Sequence, residues 1–547
     1  MHGITDQILR LLARHWLPLS VVALLLWLAR NKYHNGLNRY PGPFFASLTD
    51  WWRFLDVYGR RPETTHRALH RKYGDVVRLG PNTLSFADPK ALKTIYGLNK
   101  GFTKSEFYVV QQSVAKGHRL QSLFSSTDND FHARFRRCVN SAFSMSALVQ
   151  YEPFVDNTTK LFLEQTKKVF VNQAETCDFP QWLQFYAFDV IGEITYSKRH
   201  GFVEHNKDVD GIVAYLSWLF LYVAPIGQIP FLDRLLLKNP IYLKLSQWGL
   251  IDATFPVARF ARERMAEKMA DLANEKLDPE AGPGVKSPDL LSKFLAAHQT
   301  HPEFMTEPLV QTMAVSMAFA GSETTAISLS AVFYFLLKHP SALARLRTEI
   351  DDAARDGLFA DSETGLVTWQ ESQRLPYLDA CIKEAFRLHP AAGLPLERIV
   401  PEGGTEIAGH YVPGGTIVGC SAWLIHMNKA IFGADAEDYR PERWFPDESL
   451  VRTDAGQDAE TRRIKEMNGT MFQFGMGSRT CIGKNISLLE IYKLVPSMLR
   501  RFEICFADPS QEWELVNAWF VKQKNFTASF HLRDLVGPAS GGNATLT

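Results

Sequence analysis

The sequence predicts a mainly α protein with a smaller β region, preceded by an N-terminal transmembrane helix. Three stretches carry that expectation. Trp16 to Ala29 is apolar and uncharged, Pro308 to Leu337 is apolar around one central acid, Glu323, and apolar residues recur at helical spacing after Cys481 (Ile486, Leu489, Leu494, Leu499). The one convincing sheet signal in the first half is the alternation of Tyr73 to Ala87 around Gly80-Pro81, a β-hairpin pattern.

Composition narrows the function. Lys plus Arg number 60 against 59 Asp plus Glu, so net charge gives no support to a nucleic-acid partner. Six cysteines are scattered through 547 residues, unlike the dense framework of a small secreted domain. Five of them read as buried or incidental thiols in a reducing compartment. No stretch beyond about residue 40 resembles an interdomain linker, which divides the chain into an anchor, 1–35, and one body, 36–547.

The anchor would run from Leu11 to Ala29, roughly 28 Å as a helix and close to a bilayer core. Arg30, Lys32 and Arg39 favour a cytoplasmic C-terminal side, although Arg10 and Arg14 oppose them. A cleaved signal is the rival, without a clear small-x-small cleavage site to support it. Tyr40-Pro41-Gly42-Pro43 then breaks any helix.

Next in order, His132, Arg134, Arg136 and Arg137 crowd one expected helix; such a run is commonly a solvated face, but His132 and Arg136, at i and i+4, share a side. Phe185–Arg199 and Gly211–Asn239 read as helices whose large apolar residues fit a pocket wall, a membrane contact or plain core. Ala281–Pro288 is the clearest flexible loop. In the long apolar stretch Glu323 sits within AGSETT, where a buried acid costs stability without a partner or a role. A second membrane span is the alternative there. Gly321 would let another group approach the helix, and Thr324 can hydrogen-bond into the gap. Glu384 and Arg387 form an ordinary i, i+3 pair. Pro413 to Thr416 reads as a turn between strands.

Phe474 to Gly483 reads FGMGSRTCIG, with Gly475 and Gly477 permitting an unusual backbone path. Cys481 then lies at or just before a helix, expected over Ile482–Phe502, whose free N–H groups favour a thiolate. One more buried thiol is the plain alternative. With no second cysteine nearby for zinc or redox pairing, a single thiolate ligand to a large cofactor fits better, and haem iron takes one.

Phe474, Gly477, Arg479, Cys481 and Gly483 match the F-x-x-G-x-R-x-C-x-G signature, and the chain is identified by it as a member of the cytochrome P450 family. The resemblance implies the P450 fold, haem b, and residues 36–547 as a haem-thiolate monooxygenase domain. It makes Cys481 the iron ligand, packs Phe474 near the sulfur and pairs Arg479 with a propionate. D-F-H-A-R-F-R-R resembles the family's W-x-x-x-R, with His132 in the tryptophan place and Arg136 in the arginine place, and Arg398 resembles a further propionate contact. AGSETT resembles A-G-x-D/E-T-T, which implies that Glu323 and Thr324 relay protons to bound dioxygen. Glu384, Arg387 and Arg443 resemble a structural Glu/Arg network. By the same resemblance, electrons come from NADPH through an NADPH-cytochrome P450 reductase, the substrate is a small apolar molecule, and the protein is single-pass in the endoplasmic reticulum membrane with its catalytic domain cytosolic. Lys104–Gln112 is similar to fungal secondary-metabolism members such as the pisatin demethylase type. Other haem-thiolate chemistries, isomerase, dehydratase or peroxide-using, and a non-catalytic haem sensor or binding protein remain alternatives. Sequons at Asn157, Asn468, Asn485, Asn525 and Asn543 are expected to be unmodified.

Overall fold

The computed structural model describes residues 2–277 and 289–537. The expected loop Ala281–Pro288 and the sequon at Asn543 lie outside the described residues.

The helix Glu307–Lys338 is the axis of the fold. A helix apolar on every side is stable only where protein covers every side, and this one is buried along most of its length. Thr306 and Pro308 start it, and Pro340 stops it by excluding the helical conformation of His339. Its main partner is the helix Phe179–Tyr196, capped by Asp178, whose carboxylate accepts from the amide of Gln181 at 3.3 Å. The two come together at Gly321, where a Cβ would stand 3.0 Å from Cδ1 of Ile191. The group that approaches the glycine is therefore a side chain of the neighbouring helix. Lys484–Arg501 packs on the same axis, with Thr325 Oγ1 and Ser487 Oγ 3.1 Å apart.

Among the described residues two helices are long and apolar enough to cross a membrane, Val209–Ile226 and Glu307–Lys338. The second is 72% buried within the protein, which rules out the alternative of a second span. The segment expected to be helical over Gly211–Asn239 is shorter, Ile212–Ile226, with a separate turn Phe231–Leu235. The break falls at Gly227, where Phe107 comes so close that a Cβ would lie 2.4 Å from its ring.

The expected hairpin forms as Val76–Gly80 antiparallel to Thr83–Phe86. It is one edge of a five-stranded sheet completed by Ile417–Cys420, Arg398–Ile399 and Thr103–Lys104. Only the pair Thr83–Phe86 with Ile417–Cys420 is parallel. This sheet joins residues 300 positions apart and places Arg398 directly opposite Lys104. Pro413–Thr416 turns between His410–Val412 and Ile417–Cys420, as expected.

The N-terminal helix spans His2–Tyr33, longer than the expected Leu11–Ala29, with a kink at His15 three residues before Pro18. Trp16, Leu17, Leu24, Leu25 and Trp27 are exposed. The buried guanidinium of Arg78 caps its far end, donating to the carbonyls of Lys32 at 2.7 Å and Asn31 at 2.8 Å. A cation there satisfies orphan carbonyls and opposes the helix dipole.

Candidate active site

The segment Phe474–Gly483 folds back on itself, the amide of Cys481 donating to the carbonyl of Phe474 at 2.9 Å. Gly475 and Gly477 both have φ of +67°. At Gly477 the glycine is obligatory for a second reason, since a Cβ would lie 1.9 Å from the carbonyl oxygen of Tyr96. Phe474 is held edge-on by Phe386, with ring centroids 5.7 Å apart.

The helix after Cys481 is Lys484–Arg501, so the cysteine precedes it by three residues. Its side chain is accessible although protein surrounds it. Burial pushes the thiol up, and the amides of Gly483 and Lys484 with the charges of Arg136 and Lys484 only partly offset this. Burial thus works against the thiolate that the amides favour, and a bound metal ion would deprotonate such a thiol outright. Of the other cysteines Cys177, Cys381 and Cys420 are buried, Cys138 is half-buried, and Cys505 is exposed rather than buried.

Around the cysteine loop stand cations without anions. Arg479 donates to the carbonyl of Ser126 at 3.0 Å and to Oδ1 of Asn129 at 2.8 Å. Arg398 donates to its neighbour's carbonyl, Glu397 O, at 2.8 Å. Arg136 donates to the carbonyl of Thr480 at 2.7 Å, beside the cysteine. None of these three, nor Lys104, forms an ion pair with a carboxylate among the described residues. Like charges directly across a ladder repel, yet Lys104 and Arg398 are both buried there. The cost is visible in protonation. Burial and then Arg398 pull Arg479 down to about 10, and burial followed by Arg398 and Arg479 pulls Lys104 well below its ordinary value. His132, buried on Asn129–Val139, is pulled down to about 3 by burial, Arg479, Lys104, Arg136 and Arg398. An open cleft of about 740 Å³ has His132, Arg136, Arg398 and Arg479 on its walls. This surplus of buried charge calls for a dianionic group next to an accessible thiol. Haem, with two propionates and one axial thiolate, fits these residues.

In mid-length of the long helix Ala320 is exposed and Thr324 half-buried, while Ser322, Glu323 and Thr325 are buried. Thr324 Oγ1 donates to the carbonyl of Ala320 at 2.9 Å. Glu323 is buried, with Gln184 donating to its Oε2 and the Lys522 ammonium 2.5 Å from its Oε1. The two expected relay residues are adjacent in sequence but hold different partners, with no hydrogen bond between them.

Glu384, Arg387 and Arg443 meet in one buried network that also takes in Trp444. Arg387 binds Glu384 through two bonds, 2.7 and 2.9 Å, both side chains fully buried, and Arg443 Nε reaches Glu384 Oε1 at 3.2 Å. Trp444 Nε1 adds a fourth donor at 3.0 Å. His426 extends the network to the cysteine loop, its Nδ1 3.0 Å from the carbonyl of Arg387 and its Nε2 accepting from the amide of Phe472 at 2.8 Å.

Lys104, Gln184, His426 and Lys522 were not foreseen from sequence. Lys104 lay inside KSEFYVVQQ, read only as a subfamily likeness; the other three belong to no local pattern, because their partners lie 39 to 199 positions away.

The model of the family described as Cytochrome P450 matches residues 41–528. The chain is 40% identical over 525 residues to "Cytochrome P450 monooxygenase cicH" of Emericella nidulans, covering 96% of this chain and 99% of that protein. It is 38% identical over 491 residues to a cytochrome P450 monooxygenase of Aspergillus terreus, covering 89% and 95%. Against "Cytochrome P450 monooxygenase asR2" of Sarocladium schorii it is 36% identical over 490 residues, covering 89% and 91%. With the thiol loop, the cation cluster and the long helix in place, the chain belongs to the cytochrome P450 family of oxygen-incorporating oxidoreductases.

Proposed function

We propose that this protein is a microsomal haem-thiolate monooxygenase that inserts one atom of O2 into a small apolar molecule, in fungal secondary metabolism. The observation that carries the reading is the group of cations around the cysteine loop, buried Lys104 and Arg398 with half-buried Arg479, which form no ion pair with a carboxylate among the described residues. Cys481 would ligate the iron, Arg479, Arg398, Arg136 and His132 would hold the propionates, and Phe474 would shield the sulfur. When bound, the haem supplies reductive activation of O2, with the thiolate donating electron density. Thr324 presents a hydroxyl that both donates and accepts, and Glu323 is the carboxyl from which its proton is replenished. Lys522 and Gln184 hold the acid, while the hydroxyl donates to the Ala320 carbonyl.

Electrons come from NADPH through the NADPH-cytochrome P450 reductase. The catalytic body, residues 36–547, faces the cytosol, tethered to the endoplasmic reticulum by the exposed apolar helix whose end Arg78 caps.

The test is the absorption of reduced protein under carbon monoxide. The wild type is expected to show the strongly red-shifted band of thiolate ligation, and Cys481→Ser to lose it while remaining folded by circular dichroism. A red-shifted band that survives the substitution refutes the assignment.

A further inference from the structure

Glu323 is a carboxylate held in the interior, and what holds it is not on its own helix. Lys522 lies on the strand Phe520–Lys524 of the C-terminal hairpin, and its ammonium is 2.5 Å from Glu323 Oε1. The same ammonium donates to Ser217 Oγ at 2.9 Å, on the helix Ile212–Ile226. Gln184, from Phe179–Tyr196, donates to the other carboxylate oxygen. Three elements distant in sequence thus meet at one acid. Glu323 is 1% exposed as a side chain and Lys522 26%, so the cation is the member of the pair open to the surrounding space.

Charge is what the contact supplies. A buried carboxylate without a cation is driven to its neutral form, and removing one member of a buried pair costs far more than the pair contributes. Gln184 alone leaves Oε1 unpartnered. Both oxygens are also drawn toward Lys522 and Gln184, so the pair sets the orientation of the acid as well as its charge.

We propose that Lys522 is the positioning residue for Glu323: together with Gln184 it fixes where the buried carboxylate sits, and Ser217 in turn fixes the ammonium. This rests on the proposed relay role of Glu323, and the experiment separates the two.

Four variants of the haem-loaded protein are compared: Glu323→Gln, Lys522→Met, the double variant and Lys522→Arg. Thermal unfolding is read first. Lys522→Met is expected to lower the Tm by several degrees, and adding Glu323→Gln to restore most of that loss, since neither an uncompensated acid nor an unmatched cation remains. In turnover, Lys522→Met is expected to lower kcat roughly tenfold with KM within about twofold, less than the roughly 10²–10⁴ associated with losing a general acid or base altogether. Lys522→Arg, which keeps the charge, is expected to recover both Tm and kcat. Additive Tm shifts overturn the proposal, as does a loss carried by KM, which makes Lys522 a substrate contact. An Arg variant that recovers Tm but not kcat also overturns it, making Lys522 a proton donor. Wild-type coupling of NADPH to product in Glu323→Gln refutes the relay reading instead, whatever the Tm cycle shows.

Discussion

The amide of Phe472 donates to Nε2 of His426 at 2.8 Å, two residues before the thiol loop begins. The other ring nitrogen lies 3.0 Å from the carbonyl of Arg387. Those partners require a neutral imidazole protonated on Nδ1. One ring thereby transmits the position of the Glu384–Arg387–Arg443 network to the backbone that presents Cys481.

Replacing that ring by an apolar side chain leaves a buried N–H and a buried carbonyl unpaired. His426→Leu is expected to cost about 2–6 kcal/mol, at about 1–3 for each orphaned group. Denaturant unfolding measures the loss. Faster transfer of haem to an apo-globin acceptor distinguishes a loosened thiol loop from a general loss of stability, and an unchanged transfer rate argues against the brace.

Acid stability follows from the same ring and two others. Burial lowers His426 and His200 to about 3, and His389 to about 4, from an ordinary value of 6.5. The unfolded chain takes up these protons first as pH falls, so their stabilisation is complete above about pH 6.5 and is lost progressively toward the folded values. Each contributes at most ~1.4 kcal/mol per pH unit. Denaturation midpoints are expected to be level between pH 7 and 8, as far as these groups decide them, and to drop steeply from pH 6.5 to 5. A flat profile there means that the histidines are not held neutral.

Thr324→Ala removes the hydroxyl that bonds the Ala320 carbonyl and leaves the helix backbone intact. NADPH consumption is expected to continue while peroxide replaces product, the product yield per NADPH falling roughly tenfold through loss of proton delivery. Full coupling in the variant removes Thr324 from the path.

Topology has two tests. Asn485 is half-buried, its amide donating to the carbonyl of Phe143 at 3.0 Å, so a glycan there is incompatible with the fold. Asn157, Asn468 and Asn525 are exposed and would accept one in a lumenal protein. Endoglycosidase treatment is expected to leave gel mobility unchanged; a shift reverses the orientation. Arg78 adds a boundary for removing the anchor, because it needs the carbonyls of Asn31 and Lys32. A chain starting at Asn31 is expected to keep full stability, and one starting at His34 to lose about 2 kcal/mol because Nη1 of Arg78 loses its acceptor, while Nε and Nη2 keep the carbonyls of Gly80 and Pro81. Equal midpoints for the two show that water replaces those carbonyls.

The sequence by itself determined the long helix around Glu323, the hairpin at Gly80-Pro81, the thiol loop and the Glu384–Arg387 pair. Each rests on spacing within a few residues: apolar period, glycine where φ is positive, charges three apart on one helix face. The shared face of His132 and Arg136 was legible for the same reason. Tertiary structure decided what those residues touch. Lys104 became a buried cation because strand pairing set it against Arg398 nearly 300 positions away, and Lys522 met Glu323 because a C-terminal hairpin reaches the middle of the central helix. At Cys481 the local dipoles are written in sequence and the burial that opposes them is not. Burial is a property of the packed whole, and it is burial that turned scattered charges into a site.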